Sequence, residues 1–205
     1  SEFYEELKRL NINIIRPDIN KCFADFRSDN NNFYYALGGV KAVGYLAVSN
    51  IVDERIKNGE FKSINDFIKR VKPKDINKLQ LEGLVKSGSF DNINSNRHAL
   101  FSSIPNFILK TKNNFANKVA NQIDLFSSDE IKDKDIVLRV EDWKFEERLS
   151  KEFEAIGFFI SDHPLNQFKE IFDNYNIIDF NKFNSDKEIK ENNIAATLLK
   201  IQERK

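Results

Sequence analysis

The sequence predicts a mainly α-helical fold with minor β structure near its start. Three observations carry this. From Gly38 onward apolar residues recur at helical spacing, as in Ala47, Val48, Ile51 and Val52. Start and stop signals punctuate that pattern, with Asn58-Gly59, Ser63 and Pro73 falling between apolar stripes. Before Gly38 the pattern differs: "CFADF" and "FYYAL" flank the turn-rich "RSDNNN", which reads as a short N-terminal hairpin.

Taken in order, Phe3, Leu7 and Leu10 form one apolar stripe of a first helix. "NINIIRPDIN" is extended, because the ring of Pro17 excludes Arg16 from helical geometry. After "GGVKAVG" a helix runs to Asn58-Gly59, and the next begins at Ser63, where Asp66 follows a capping hydroxyl by three positions. Asp75 caps a third helix through "INKLQLEGLVK", with Ile76, Leu79, Leu81 and Leu84 as its buried side. A fourth spans Ser95 to Lys110, with Pro105 as an obstacle. Residues 111–140, rich in Asn, Lys, Asp and Ser, read as a flexible segment that nonetheless displays Ile123, Leu125 and Phe126 together. Helix resumes through "DWKFEERLSKEFEAIGFFI", where Trp143, Leu149, Phe153 and Ile156 share a face, and "IAATLLKIQERK" reads as a strand that is barely begun.

Composition narrows the function classes. The 205 residues, 40% of them hydrophobic, can build one large domain or two small ones. The single cysteine, Cys22, cannot form an internal disulfide, and with His98 and His163 as its only soft companions it argues against a metalloenzyme. No run approaches the roughly 20 apolar residues that span a bilayer, and "SEFYEELKRL" lacks the layout of a signal peptide, so a cytoplasmic location is expected. The zero net charge hides a division: residues 37–121 carry 14 basic and 7 acidic groups, residues 122–205 carry 13 and 19. A basic middle suits a polyanion.

Two glycine-containing turns fall in that basic middle. In "ALGGVKAVGYLAVSNIV", Gly38, Gly39 and Gly44 tighten the chain just before a helix, whose first N–H groups then point outward at its positive end. Ala42-Val43-Gly44 with Ala47 resembles the helix-hairpin-helix motif, with Ala42 in place of the first hairpin glycine, and Lys41 adds a charge for phosphate. The second turn, Lys86-Ser87-Gly88-Ser89, could form a backbone nest beside a lysine. For each, a plain helix cap with no ligand is the competing reading. Gly83, inside a helix, implies close packing on a neighbouring helix. His98, beside Arg97, reads as a solvated helix position, His163 as a turn residue and Trp143 as core; Asp142, Glu146 and Glu147 read as an acidic helix face without partners.

In order, "RPDIN", "YALGGVKAVG", "INKLQLEGLVKSGSFD", "NRHALF", "QIDLF" and "EFEAIGFFISDHPLNQF" resemble one family, the alpha subunit of bacterial DNA polymerase III. Asp162 departs from the glycine usual in that family before His-Pro. The resemblance implies tandem helix-hairpin-helix motifs holding duplex DNA over residues 37–110, after the end of a fingers region at 1–36. It implies a clamp-binding segment at 111–140, a helical region at 141–192 and the truncated start of an OB domain at 193–205. The phosphate-binding residues it implies are Gly39, Lys41, Ala42, Val43 and Gly44 in the first turn and Lys86, Ser87 and Gly88 in the second. In "QIDLF" it implies a binding motif for the beta sliding clamp: Gln122 hydrogen-bonds, Leu125 and Phe126 fill an apolar cleft, and Ile123 and Asp124 complete the pattern. The metal-binding carboxylates of the family's palm, which hold Mg for nucleotidyl transfer, are not in this stretch, so the chain itself is expected to be inactive and without a cofactor. The remaining holoenzyme subunits follow as partners of the parent. A free-standing helix-hairpin-helix module of a repair factor is the alternative.

Overall fold

Pro17 and the asparagines around Asn30 divide the first forty residues into short extended pieces. The computed structural model describes residues 2–119, 136–178, 180–186, 188–198 and 202–203. In it α1 (Glu2–Arg9) leads into β1 (Asn13–Ile15), followed by β2 (Arg27–Asp29) and β3 (Asn32–Tyr34). β2 and β3 form an antiparallel hairpin, and β3 also pairs in parallel with β1, giving the order β1-β3-β2. The expected hairpin is present, but its first strand lies on Arg27–Asp29 rather than on "CFADF". Asn30 takes φ +40°, a left-handed value asparagine tolerates, so the chain reverses within two residues and pairs Asp29 with Asn32. Cys22 and Ala24 go into the core instead.

Among the described residues, five helices then contribute to that core. α2 (Tyr45–Asn58) buries Val48, Ile51 and Val52 on one face and stops at Gly59, whose φ is +84°. α3 (Ile64–Arg70) starts where Ser63 accepts a hydrogen bond from the Asp66 N–H. A short 3-10 turn over Pro73–Asp75 precedes α4 (Lys78–Lys86). The cap of α4 is Asn77, not Asp75: the Asn77 side chain accepts from the Gln80 N–H, while Asp75 is buried and accepts from Asn50 Nδ2 at 2.7 Å. Ile76, Leu81 and Leu84 are buried as expected, but Leu79 is 63% exposed, because the buried stripe runs through Gln80, Leu81 and Leu84. Phe61, Phe67 and Phe90 meet edge to face at 5.1 and 5.0 Å between rings. Burying each such side chain contributes about 2 to 3 kcal/mol.

α5 (Arg97–Val119) corrects the expected helix end and the expected flexible segment together. Pro105 lies inside it and residues 111–119 are helical. A proline removes one donor from the ladder, and here the burial of Leu100, Ile104 and Phe107 offsets that loss. At the far end of the expected segment, Ile136 is buried and Leu138 N donates to Ser103 Oγ at 2.8 Å. The "QIDLF" residues, Gln122, Ile123, Asp124, Leu125 and Phe126, lie outside the described residues. α6 (Phe145–Ile156) buries Leu149, Glu152, Ala155 and Ile156 and closes at Gly157, with φ +95°.

Ser1–Ile160 form one compact unit and Ser161–Lys205 a second. In the second, a turn over Pro164–Phe168 leads into α7 (Lys169–Asn174), and α8 (Phe180–Ser185) follows. Asp162 needs no unusual backbone here: its Oδ1 accepts from the His163 N–H at 2.7 Å and from the Asn166 amide. Residues 191–198 carry no secondary structure, so the expected strand does not form among the described residues. A strand needs a partner to satisfy its backbone groups, and Ile194 and Leu198 are exposed.

Candidate nucleic-acid interface

The first turn is built by backbone that side chains would obstruct. A Cβ on Gly38 would come within 2.8 Å of the Ala24 carbonyl oxygen, and one on Gly39 within 3.3 Å of the Phe26 ring. Val40 N then donates to Leu37 O, and Val43 N to Val40 O, both at 3.2 Å. Between them Ala42 takes φ +64°, the left-handed value that the glycine of a hairpin normally supplies. The alanine therefore keeps the motif's backbone, at a local cost of about 1 kcal/mol.

Gly44, extended at φ −73° and ψ 129°, is the residue from which α2 springs. Among the described residues no side chain caps α2 and no acidic residue stands in its first turn, whereas α3 and α4 are capped by Ser63 and Asn77. Gly44, Tyr45 and Leu46 are exposed, so the orphan N–H groups of this helix start face solvent together with the positive end of its dipole. Tyr45 Oη donates to Asp25 Oδ2 at 2.6 Å, and that hydrogen bond holds its phenol above the usual range.

Two neighbours hold the turn in place. Lys41 N donates to Ala155 O at 2.8 Å, fastening the turn to the last turn of α6. The Lys41 ammonium lies over Gly157, 3.8 Å from where a Cβ would stand, at the negative end of α6. Lys41 is exposed, and among the described residues no carboxylate forms an ion pair with it. On the other side, a Cβ on Gly83 would come within 2.6 Å of the Lys41 carbonyl oxygen. Gly83 thus does serve close packing, but against the turn's backbone rather than a neighbouring helix. Val43, buried, fills the adjoining space 3.3 Å from the same point.

The second turn is arranged differently. Ser87 N, Gly88 N and Ser89 N donate to Gly83 O, Val85 O and Leu84 O at 2.9 to 3.0 Å, which is a helix cap with its donors spent. The Ser87 hydroxyl bonds Leu84 O and Ser89 Oγ, and Ser87 is 2% exposed. Gly88, with φ +81°, lies beneath the guanidinium of Arg97, which would stand 2.1 Å from a Cβ. Lys86 is matched by Glu154 at 3.0 Å and lies over the Phe101 ring.

Arg97 is accordingly no solvent-facing base. It forks onto Asp91 at 2.9 and 2.7 Å and reaches buried Glu152 at 3.4 Å, which in turn accepts from Ile160 N. Burial alone would lower its pKa; the Asp91 and Glu152 carboxylates more than offset this and leave it raised. The chain of charges continues through Arg148 to Asp142, which accepts the His98 N–H and so caps α5. Asp142 is therefore a capping residue outside α6, not part of an unpartnered acidic face. His98, on the first turn of α5 and partly exposed as expected, also stacks on Trp143 at 5.5 Å between rings. No single residue type foretold this network; charges from Asp91 to Glu152 meet only in the fold.

Among the described residues no three His, Cys, Asp or Glu side chains converge to hold a metal, and no helix is long and apolar enough to cross a membrane. Residues 11–100 match the family model of the helix-hairpin-helix motif, a stretch that includes both turns. Across 85% of its length the chain is 38% identical to the DNA polymerase III subunit alpha of Borreliella burgdorferi, covering 16% of that protein. It is 32% identical to the subunit of the same name from Caulobacter vibrioides, over 80% of the chain and 14% of the relative. With that of Campylobacter jejuni the figures are 31%, 98% and 17%. The chain thus spans about a sixth of the length of these relatives.

Proposed function

Because the chain is homologous to one segment of the DNA polymerase III alpha subunits, we propose that it supplies such a polymerase with a grip on duplex DNA and a docking motif for the sliding clamp. The observation that carries the first part is the uncapped start of α2 behind Ala42 at φ +64°, with exposed Lys41 beside it. Backbone N–H groups and a lysine bind phosphate oxygens whatever the base sequence, so the grip follows the duplex without reading it. The contact centres on the Lys41 ammonium and on the start of α2 at Gly44; Gly39, Ala42 and Val43 shape the turn, the N–H groups of Gly39 and Val43 being spent on Ala36 O and Val40 O. At Lys86, Ser87 and Gly88 it is confined to the Lys86 ammonium, which leaves Glu154 to reach a phosphate.

The second part rests on the residues of "QIDLF" alone. Gln122 hydrogen-bonds in a small subsite of the clamp, Ile123 and Asp124 hold the spacing, and Leu125 and Phe126 bury in an apolar cleft. Burial of two such side chains is worth roughly 3 to 6 kcal/mol in gross terms, from which the ordering of the segment is subtracted. Nucleotidyl transfer and its Mg belong to the parent polymerase in the cytoplasm, acting with the other holoenzyme subunits; this chain carries no catalytic residue.

Two measurements test the reading. Lys41→Glu with Lys86→Glu lowers affinity for duplex DNA at low salt, and unchanged binding contradicts the DNA assignment. Leu125→Ala with Phe126→Ala abolishes binding to purified sliding clamp, and equal binding by native and altered chains contradicts the clamp assignment.

A further inference from the structure

Leu46 is the second residue of α2, and it is 73% exposed; Tyr45 before it is 55% exposed. A lone leucine on a surface is ordinary. This one stands on the first turn of a helix whose orphan N–H groups face solvent, beside exposed Lys41 and exposed Ala42.

The polar side chains that adjoin this helix start are engaged elsewhere. The Tyr45 hydroxyl donates to Asp25 at 2.6 Å, with Ser49 beside it. Gln80, whose Oε1 lies 3.9 Å from where a Cβ on Gly44 would stand, is 2% exposed and donates to Asp75 O at 2.7 Å. Asn50, one turn beyond Leu46, donates to Asp75 Oδ1 at 2.7 Å. Among the described residues, what this surface offers a ligand is therefore backbone N–H groups, the Lys41 ammonium, and the apolar surfaces of Leu46, Tyr45 and Ala42.

We infer that Leu46 sets sugar specificity: it lies against the deoxyribose that adjoins the phosphate held at the start of α2, and it disfavours ribose. This rests on that helix start being a phosphate site. The chemistry of the surface selects the sugar. Deoxyribose presents C–H where ribose presents a hydroxyl that both donates and accepts, and in a duplex that hydroxyl faces the minor groove. Covering the C–H with Leu46 removes apolar surface from water. Covering the hydroxyl strips it of water and returns no hydrogen bond, because the N–H groups nearby are directed at phosphate. One apolar contact on an open surface gives a preference of about tenfold, below the roughly hundredfold with which an enclosed apolar pocket turns away an added hydroxyl.

The test compares the affinities of the 205-residue chain for a DNA duplex and an RNA duplex of the same arbitrary sequence at low salt. The native chain favours DNA about tenfold. Leu46→Gln, which offers the 2′-hydroxyl an amide at similar helix propensity, narrows that ratio to about twofold. Leu46→Ala, which removes the apolar contact without adding polarity, lowers affinity for DNA more than for RNA. Lys41→Gln weakens both duplexes and leaves the ratio unchanged, since both carry phosphates. An unchanged ratio in Leu46→Gln overturns this inference, because the preference then follows duplex shape alone, and so does a native chain that shows no preference. With Lys41→Gln still weakened, either result leaves the phosphate reading standing. A native chain that binds neither duplex overturns both. Thermal melting of each variant confirms that the exposed substitutions leave the fold intact.

Discussion

Ala42 carries the sharpest tension between a residue and its backbone. Its φ of +64° is a glycine-like value on a residue with a Cβ. Ala42→Gly therefore stabilises the chain by about 1 kcal/mol, measured as a rise in the urea midpoint, with no change in DNA affinity. A lower midpoint contradicts the strain. Cys22 supplies a second residue-scale test. Burial pushes its thiol from 9.0 up to about 12. Below about pH 9 both states hold the proton. Between the two values only the unfolded chain loses it, so the folded state weakens by up to about 1.4 kcal/mol per pH unit. Cys22→Ala removes that slope from the alkaline limb of the stability curve, and a parallel limb in both proteins contradicts it. The substitution of alanine for glycine was visible in the sequence; the angle it adopts was not, because φ depends on what surrounds the turn.

At the scale of elements, the helix starts and stops were the most readable features. Asn58-Gly59 and Ser63 act where the sequence placed them, since caps work through local chemistry. Asp75 and Leu79 were misread for a tertiary reason. Asn50, distant in sequence, claims the Asp75 carboxylate, and the turn over Pro73–Asp75 leaves Leu79 outward. Pro105 misled because its cost is judged against burial that only α5's neighbours supply. Gly83 was read correctly as a packing glycine and its neighbour wrongly. Gly83→Ala gains about 1 kcal/mol of helix propensity. Against that, its methyl meets the Lys41 carbonyl at 2.6 Å, and such overpacking costs about 1 to 3 kcal/mol. The expected outcome is a net loss of stability by urea denaturation and weaker DNA binding, because the turn shifts with its support. Native affinity in a stable Gly83→Ala chain contradicts the coupling of α4 to the turn.

For the molecule as a whole, the sequence disclosed a basic middle but not how its charges are spent. Arg97 is consumed by Asp91 and Glu152 and Lys86 is paired with Glu154 at the surface, while Lys41, Lys72 and Lys74 remain exposed. Ion pairing across long sequence separations decides this, and a count of charges cannot see it. What is left is a small apolar core whose exposed rim carries the uncapped start of α2. The central claim is that backbone N–H groups at that start bind phosphate, and Tyr45→Pro tests it most directly. Proline is favoured at the first position of a helix, and the extended Gly44 accepts a following proline, so the fold persists while one N–H is deleted at constant charge. Tyr45→Ala, which loses the ring and the Asp25 hydrogen bond but keeps the N–H, is the reference. The account predicts that Tyr45→Pro binds duplex DNA about tenfold more weakly than Tyr45→Ala, the loss of one charge-assisted hydrogen bond. Equal affinity in two equally stable variants would contradict it.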